Sequence, residues 1–170
     1  QQSELLKEYF QKNNLNTKVN SSSENNKKSF PVLRVEGNYN QRAKTKLKDV
    51  DLEAEFIVLN TGGSWKTKRW PEGYFAEIAD LLAVKRHHIL FVGGPSDTER
   101  VNHIFEMIEN KEMVYNLCGK TSLLELAAVL KRAKLIISGD TGPVHVAAAV
   151  GTNTLTIFGP SDEQMYAPRG

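Results

Sequence analysis

Cysteine is almost missing from this chain of 170 residues, in which Cys118 is the only one. A single thiol cannot form an intramolecular disulfide, and such low cysteine usage fits a reducing compartment. The sequence places no second cysteine and no histidine set near it at the spacing of metal ligands. The sequence therefore predicts that Cys118 is a small core residue.

Long apolar runs and a strong net charge are also missing. No stretch approaches the roughly 18 apolar residues of a membrane-spanning helix. The 22 Lys and Arg against 20 Asp and Glu leave a net charge of +2, which is too small to indicate a nucleic-acid-binding protein. The chain begins Gln-Gln-Ser-Glu, without a signal-peptide pattern or an initiator methionine, so we expect a fragment or a processed chain.

Two common nucleotide-binding loops are absent from the sequence. It contains neither a Walker loop nor a G-x-G-x-x-G loop, so ATP hydrolysis and NAD chemistry lose their main support. A D-x-D triplet at 49–51 precedes a predicted strand instead of following one. We interpret this triplet as a solvated turn and predict no metal site.

Alternating strand and helix patterns dominate the chain from Phe56 onward. Continuous apolar runs predict the strands, and apolar residues at i, i+3, i+4 and i+7 predict the helices. The predicted strands are 56–59, 89–92, 114–117, 135–137 and 154–158, and the predicted helices are 71–86, 96–110, 122–133 and 144–150. This order predicts an α/β fold, a Rossmann-like parallel sheet with helices on both faces.

The N-terminal part of the chain differs in composition. Residues 1–30 are predicted to form a short helix followed by a polar linker rich in Asn, Ser and Lys. Residues 31–170 are predicted to form the domain, which begins with a short edge strand at 30–36 and a charged helix around 42–48.

The loop after the predicted strand 135–137 carries the strongest chemical signal. Ligands of such sheets bind beyond the carboxyl ends of the strands, and a helix N-terminus attracts phosphate. Asp140, Thr141, Gly142 and His145 stand where this loop enters a helix. Asp140 would face sugar hydroxyls or the N–H groups of that helix. A purely structural alternative makes Asp140 or Thr141 a helix cap and His145 a packed residue.

Three more loops lie at the same predicted edge. The loop 60–71 combines two glycines with Ser64, Lys66, Lys68 and Arg69, which favours phosphate binding over a merely solvated cluster. The loop 93–99 and the loop 118–123 each contain an S-x-x-E capping box, Ser96 with Glu99 and Ser122 with Glu125. Asp97, between the first pair, is predicted to be free to bind ribose hydroxyls.

The run Gly-Asp-Thr-Gly-Pro-Val-His-Val-Ala-Ala-Ala-Val-Gly at 139–151, with Ile-Phe-Gly-Pro at 157–160, closely resembles glycosyltransferase family 9, the ADP-heptose:lipopolysaccharide heptosyltransferases. The resemblance extends over 56–170 and implies the C-terminal half of a two-domain GT-B fold. It also implies that the N-terminal domain is missing here and that the chain stops before the final helices.

The resemblance assigns roles to particular residues. It implies donor-phosphate contacts by Lys68 and Ser64, a ribose contact by Asp97, base contacts by Thr121 and Leu123, and sugar orientation by Asp140. Thr141, Gly142 and His145 would hold the diphosphate. The full enzyme would transfer heptose from ADP-heptose to a lipopolysaccharide core acceptor with inversion, using a general base in the missing domain.

Further expectations follow from the same resemblance. We expect no catalytic residue, no metal and no cofactor in this chain, which by itself would be inactive. We expect a cytoplasmic enzyme at the inner face of the inner membrane, with no nucleic-acid partner and no transmembrane segment. Two alternatives stay open: a GT-B domain that uses a UDP- or GDP-sugar, and a non-catalytic nucleotide-binding module.

Overall fold

Short apolar runs form the strands of the sheet, because helices cover both of its faces and leave few polar positions along them. The computed structural model describes residues 33–35, 37–48, 55–63 and 65–168. Its strands are β1 (Phe56–Asn60), β2 (His88–Val92), β3 (Val114–Asn116), β4 (Leu135–Gly139) and β5 (Asn153–Ile157). All neighbours pair in parallel, in the order β3-β2-β1-β4-β5.

Four helices connect successive strands at the predicted places, one helix precedes β1 and one follows β5. They are α1 (Asn38–Lys46), α2 (Glu72–Val84), α3 (Thr98–Met107), α4 (Leu123–Leu130), α5 (Gly142–Ala149) and α6 (Glu163–Tyr166). Single 3-10 turns stand at Lys66–Lys68, Pro95–Asp97 and Lys111–Met113. The α/β prediction is confirmed, and none of the described helices is long and apolar enough to cross a membrane.

The core consists of two apolar layers, one on each face of the sheet. Alternate residues of β1 point to opposite faces, so Ile57 and Leu59 join one layer whereas Phe56 and Val58 join the other. The first layer contains residues of α2 and α3, and the second contains residues of α1, α4 and α5. The chain winds outward from β1 in one direction to β3 and from β4 in the other to β5. The two directions diverge between β1 and β4, which is where ligand crevices of such sheets form.

The structure corrects one prediction in the N-terminal part. Residues 33–35 are not in a strand, because the Leu33 N–H donates to the Ala149 carbonyl at 2.7 Å, at the end of α5. The charged helix is present as α1, and it buries Ala43 on its inner side. The predicted helix and linker of 1–30 and the D-x-D triplet lie outside the described residues.

Helix α4 also differs from its predicted pattern. The apolar spacing of Leu123, Leu126, Ala127 and Leu130 predicts that all four lie on the buried face, but the Leu123 side chain is 64% exposed. From Glu125 to Leu130 every residue is buried, because α4 lies against the sheet with α1 and α5 beside it. The apolar spacing therefore identified the helix correctly but not the limit of its covered surface.

Candidate functional site

A cleft of about 790 Å³ opens at the carboxyl ends of the strands, centred on the divergence of β1 and β4. Loops from four strands and the start of α5 form its walls. Eight of the nine predicted site residues line it, namely Lys68, Asp97, Thr121, Leu123, Asp140, Thr141, Gly142 and His145. The ninth, Ser64, lies outside the described residues.

Lys68 and Asp140 form an ion pair inside this cleft. The Lys68 Nζ donates to the Asp140 Oδ2 at 3.2 Å, and the side chains are 29% and 8% exposed. The Tyr166 ring centroid lies 5.5 Å from the same Nζ. Asp140 was expected to face sugar hydroxyls or helix N–H groups, and the ion pair is a partner that the sequence did not reveal. The cleft therefore holds a positive and a negative group side by side.

The backbone around Lys68 is anchored on both sides. The Lys68 N–H donates to the Trp65 carbonyl at 3.0 Å within the 3-10 turn. Trp70 is buried and packs against Tyr74 and Phe75 of α2, with ring centroids 5.2 and 5.0 Å apart. Its carbonyl accepts a hydrogen bond from the Arg100 Nη2 at 2.5 Å. This packing fixes the point at which the lysine enters the cleft.

A glycine lets the neighbouring strand approach this loop. A Cβ on Gly139 would lie 3.3 Å from the Lys68 carbonyl oxygen, which is tighter than ordinary contact. Gly139 is therefore favoured at this position by packing, since the absence of a side chain lets the end of β4 lie against the loop that bears Lys68.

The start of α5 faces the cleft with polar groups. Thr141 occupies the N-cap position with extended backbone but makes no side-chain cap hydrogen bond. Gly142 lines the cleft, and a Cβ there would meet nothing within 4 Å. His145 is exposed, so the alternative of a packed histidine is wrong. The first turn contains no acidic residue, and its free N–H groups give this end of the helix a partial positive charge.

Asn60 is a site residue that the sequence analysis did not single out. It ends β1, is only 2% exposed, and still contributes to the cleft. Its Nδ2 donates to the Ser138 Oγ at 2.8 Å and to the Thr141 Oγ1 at 2.9 Å. An amide at the carboxyl end of an otherwise apolar strand was the signal that could have identified it.

Asp97 is held by the backbone around it. The predicted Ser96–Glu99 capping box is absent, because α3 begins at Thr98 with Asp97 as its N-cap residue. The Asp97 Oδ2 instead accepts a hydrogen bond from the Gly94 N–H at 2.9 Å. The expectation that this carboxylate is free is therefore wrong for one of its oxygens, and its buried position leaves it little room to move.

The far end of the cleft is more apolar. Leu123 and Thr121 stand there, next to the capping box in which the Ser122 N–H donates to the Glu125 Oε2 at 2.8 Å. Exposed aromatic side chains also reach the cleft: Trp65 is 68% and Tyr166 is 47% exposed. Neither aromatic residue was predicted as part of the site. Together these groups could pack against a flat ring or the carbon face of a sugar.

The remaining reactive groups have structural roles. Cys118 is buried beneath the cleft with its Sγ 3.2 Å from the Gly94 carbonyl, and burial raises the pKa of its thiol. The prediction of a small core residue is confirmed.

Within the described ranges, no group of three or more His, Cys, Asp and Glu side chains could hold a metal ion.

Comparison with known proteins adds the family. The sequence profile of Glycosyltransferase family 9 (heptosyltransferase) matches residues 13–170. Lipopolysaccharide heptosyltransferase 1 of Pseudomonas aeruginosa is 32% identical over 134 residues, which cover 78% of this chain and 36% of that protein. The chain thus spans little more than a third of the length of this relative.

Two solved structures share the fold. A glycosyl transferase family 9 protein of Veillonella parvula superimposes with a TM-score of 0.76 at 29% identity, covering 81% of this chain and 40% of its own. The structure of the Escherichia coli ADP-heptose LPS heptosyltransferase II superimposes with a TM-score of 0.73 at 26% identity, covering 82% of this chain and 42% of its own. These GT-B neighbours agree with the predicted fold class. Profile, sequence relatives and structures all lead to one assignment: the chain belongs to glycosyltransferase family 9.

Proposed function

We propose that this chain is the donor-binding domain of an inverting heptosyltransferase of lipopolysaccharide core biosynthesis, with ADP-heptose as the donor. The observation that carries the proposal is the Lys68–Asp140 pair at the start of α5, which places a cation and a hydroxyl-binding carboxylate 3.2 Å apart in one cleft. A nucleoside diphosphate sugar needs both groups at neighbouring points. The E. coli neighbour named for ADP-heptose adds support.

The diphosphate would occupy the positive side of the cleft. The Lys68 ammonium would exchange Asp140 for a phosphate oxygen, and Thr141 and Ser64 would donate hydroxyl hydrogen bonds. Gly142 leaves room for the ligand at the N–H groups of α5, and His145 in its first turn is exposed to the cleft. These donors would stabilise the negative charge that develops on the leaving ADP.

The rest of the donor would extend to both sides of the diphosphate. Asp140 would accept hydrogen bonds from the sugar hydroxyls, and the second carboxylate oxygen of Asp97 would accept one from the ribose. Thr121 and Leu123 would contact the adenine, which suits the exposed apolar side chain of Leu123.

The remaining steps require groups outside this chain. We place the acceptor site and the general base that deprotonates the acceptor hydroxyl in an N-terminal domain, at the cytoplasmic face of the inner membrane. Lys68 and the α5 N-terminus supply the positive charge that a divalent ion supplies in other transferases. Donor binding would therefore not require a metal.

Calorimetric titration with ADP, UDP and GDP tests the proposal. We expect ADP to bind most tightly, with the same affinity in the presence of EDTA. A charge-assisted hydrogen bond contributes about 1.5–3 kcal/mol, so Lys68→Ala should weaken ADP binding roughly tenfold or more. The matched control is Lys66→Ala in the same loop, which should have a much smaller effect.

Each contrary result has a distinct meaning. Preference for UDP or GDP would favour the alternative GT-B transferase, and loss of binding with EDTA would contradict metal independence. If Lys66→Ala weakens ADP binding more than Lys68→Ala does, the assignment of the phosphate contact to Lys68 is wrong. If no nucleoside diphosphate binds to the folded chain, the donor-binding role is wrong.

A further inference from the structure

Asn60 lies beneath the start of α5, at the junction between β1 and β4. It stands opposite Ser138 in the parallel register of these strands, and its side chain reaches both Ser138 and Thr141. We infer that Asn60 is a positioning residue whose amide orients the Thr141 hydroxyl to donate its proton to a diphosphate oxygen. The inference rests on the proposed function, because it concerns the ligand of the same cleft.

The hydrogen-bond directions support this role. The amide nitrogen of Asn60 has two hydrogens, and it donates to the Ser138 Oγ at 2.8 Å and the Thr141 Oγ1 at 2.9 Å. A hydroxyl has one proton and two lone pairs. Because the Thr141 oxygen accepts from Asn60, its own proton remains available for donation.

The Ser138 hydroxyl has a different acceptor. It lies 2.8 Å from the Gly139 carbonyl, which makes that oxygen the nearest acceptor for its proton. Among the described residues, the Thr141 proton has weaker choices, namely the Ser138 Oγ at 3.0 Å and the Gly139 carbonyl at 3.4 Å. An ionised phosphate oxygen is a stronger acceptor than either. A ligand in the cleft would therefore draw this proton toward itself.

The substitution Asn60→Asp reverses the hydrogen bonds at almost unchanged shape. A carboxylate accepts where the amide donated, so it would attract the protons of Ser138 and Thr141 into the protein. The Thr141 hydroxyl would then have no proton to offer to the ligand. The neutral substitution Asn60→Ala removes the donor without adding a charge.

A double-mutant cycle on the full chain separates this role from a structural one. We expect Asn60→Asp and Thr141→Val each to weaken ADP binding roughly tenfold. In the Thr141→Val background, Asn60→Asp should cause a much smaller loss of ADP affinity than it causes in the unaltered chain. Asn60→Ala should likewise cause a smaller loss of ADP affinity in that background. Repulsion by the new carboxylate is present in both backgrounds, so the difference between the two losses measures the hydrogen bond.

The matched control is Asn153→Asp at the start of β5, where the amide is exposed and bonds to the Lys134 carbonyl. It should leave ADP affinity unchanged. Equal losses from the Asn60 substitutions with and without the Thr141 hydroxyl would overturn the inference, even if ADP still binds to the unaltered chain. Failure of the unaltered, folded chain to bind ADP, UDP, GDP or inorganic diphosphate would overturn the proposed function and this inference together. If the melting temperature shows that Asn60→Asp does not fold, the cycle with Asn60→Ala measures the coupling in its place.

Discussion

At the scale of single residues, the Lys68–Asp140 ion pair implies a competition in the proposed complex. A bound diphosphate and the Asp140 carboxylate would both attract the Lys68 ammonium, and the carboxylate would also repel the phosphates. The pair is only partly screened, because Asp140 is 8% exposed. In the proposed complex the carboxylate would therefore oppose binding of ADP alone, whereas hydrogen bonds to sugar hydroxyls would compensate for it in an ADP-sugar.

The substitution Asp140→Asn should separate these two effects. We expect ADP to bind roughly three- to tenfold more tightly, since about 1 kcal/mol of repulsion is removed. The ratio of the ADP-heptose affinity to the ADP affinity should fall, because a neutral amide is a weaker acceptor for hydroxyls. Calorimetry with both ligands measures the ratio. The control Glu106→Gln, on the exposed side of α3, should change neither affinity. Weaker binding of ADP itself would contradict the assigned competition.

Gly62 provides a second test at this scale. A Cβ at this position would lie 2.7 Å from the Asp97 Oδ2 and 3.2 Å from its Cγ, so the carboxylate would have to move. Gly62→Ala should therefore lower both the melting temperature and the ADP affinity, with overpacking worth about 1–3 kcal/mol. Thermal unfolding and calorimetry measure the two effects.

The matched control for that substitution is Gly73→Ala in α2. A Cβ there would meet nothing within 4 Å, so alanine should be neutral or should stabilise the helix by up to about 1 kcal/mol. Equal behaviour of the two alanine variants would show that Gly62 is not required to accommodate Asp97.

At the scale of elements, the start of α4 is held by a reciprocal pair of hydrogen bonds. The Ser122 N–H donates to the Glu125 carboxylate, and the Glu125 N–H donates to the Ser122 hydroxyl at 3.4 Å. These bonds, the one from the Ser122 backbone first, lower the pKa of Glu125 below its ordinary value of 4.5. The cap orders the loop that bears Thr121 and the exposed Leu123 at the cleft.

The lowered pKa predicts a pH dependence of stability. A carboxyl whose pKa is lower in the folded chain stabilises that state above the unfolded pKa, and the contribution is lost as pH falls through the folded pKa. Glu125→Gln should therefore lower the free energy of unfolding near pH 7, and the deficit should shrink below about pH 4.5. Urea titrations at pH 7 and pH 3 measure it. A deficit that is equal at both values would contradict a role for the ionised carboxylate.

At the scale of the whole molecule, the chain spans less than half the length of the two relatives compared next. It covers 36% of the P. aeruginosa relative and 42% of the E. coli heptosyltransferase II structure. Exposed apolar side chains, among them Trp65 and Leu123, contribute to the lining of the cleft. Chemistry at the sugar also needs an acceptor and a base, which we place on a further part of the protein.

We accordingly expect the chain alone to be catalytically silent. Incubation with ADP-heptose and a heptose-deficient lipopolysaccharide acceptor should yield no transferred heptose, because no acceptor site is assigned to this cleft. Mass spectrometry of the acceptor measures transfer, and calorimetric binding of ADP to the same preparation shows that the cleft is intact. Heptosylated acceptor formed by this chain alone would contradict the division of roles.

The sequence by itself determined the parallel α/β sheet and most of the cleft. Apolar runs and helical spacing report local burial, and the carboxyl ends of parallel strands meet at one edge whatever their order. Lys68, Asp140 and Thr141 could therefore be assigned to one site from their positions after strands. The resemblance to the family then suggested the ADP-heptose donor proposed above, a ligand that the loops alone left open.

Only the tertiary structure decided how these residues pair. Lys68 meets Asp140 across 72 residues of chain, and Asn60 meets Thr141 across 81. Likewise, a helical pattern defines a face but not how far neighbours cover it, which is why Leu123 proved exposed. Hydrogen bonds and burial depend on which atoms the fold brings within about 3 Å, and periodicity along the chain carries no record of that distance.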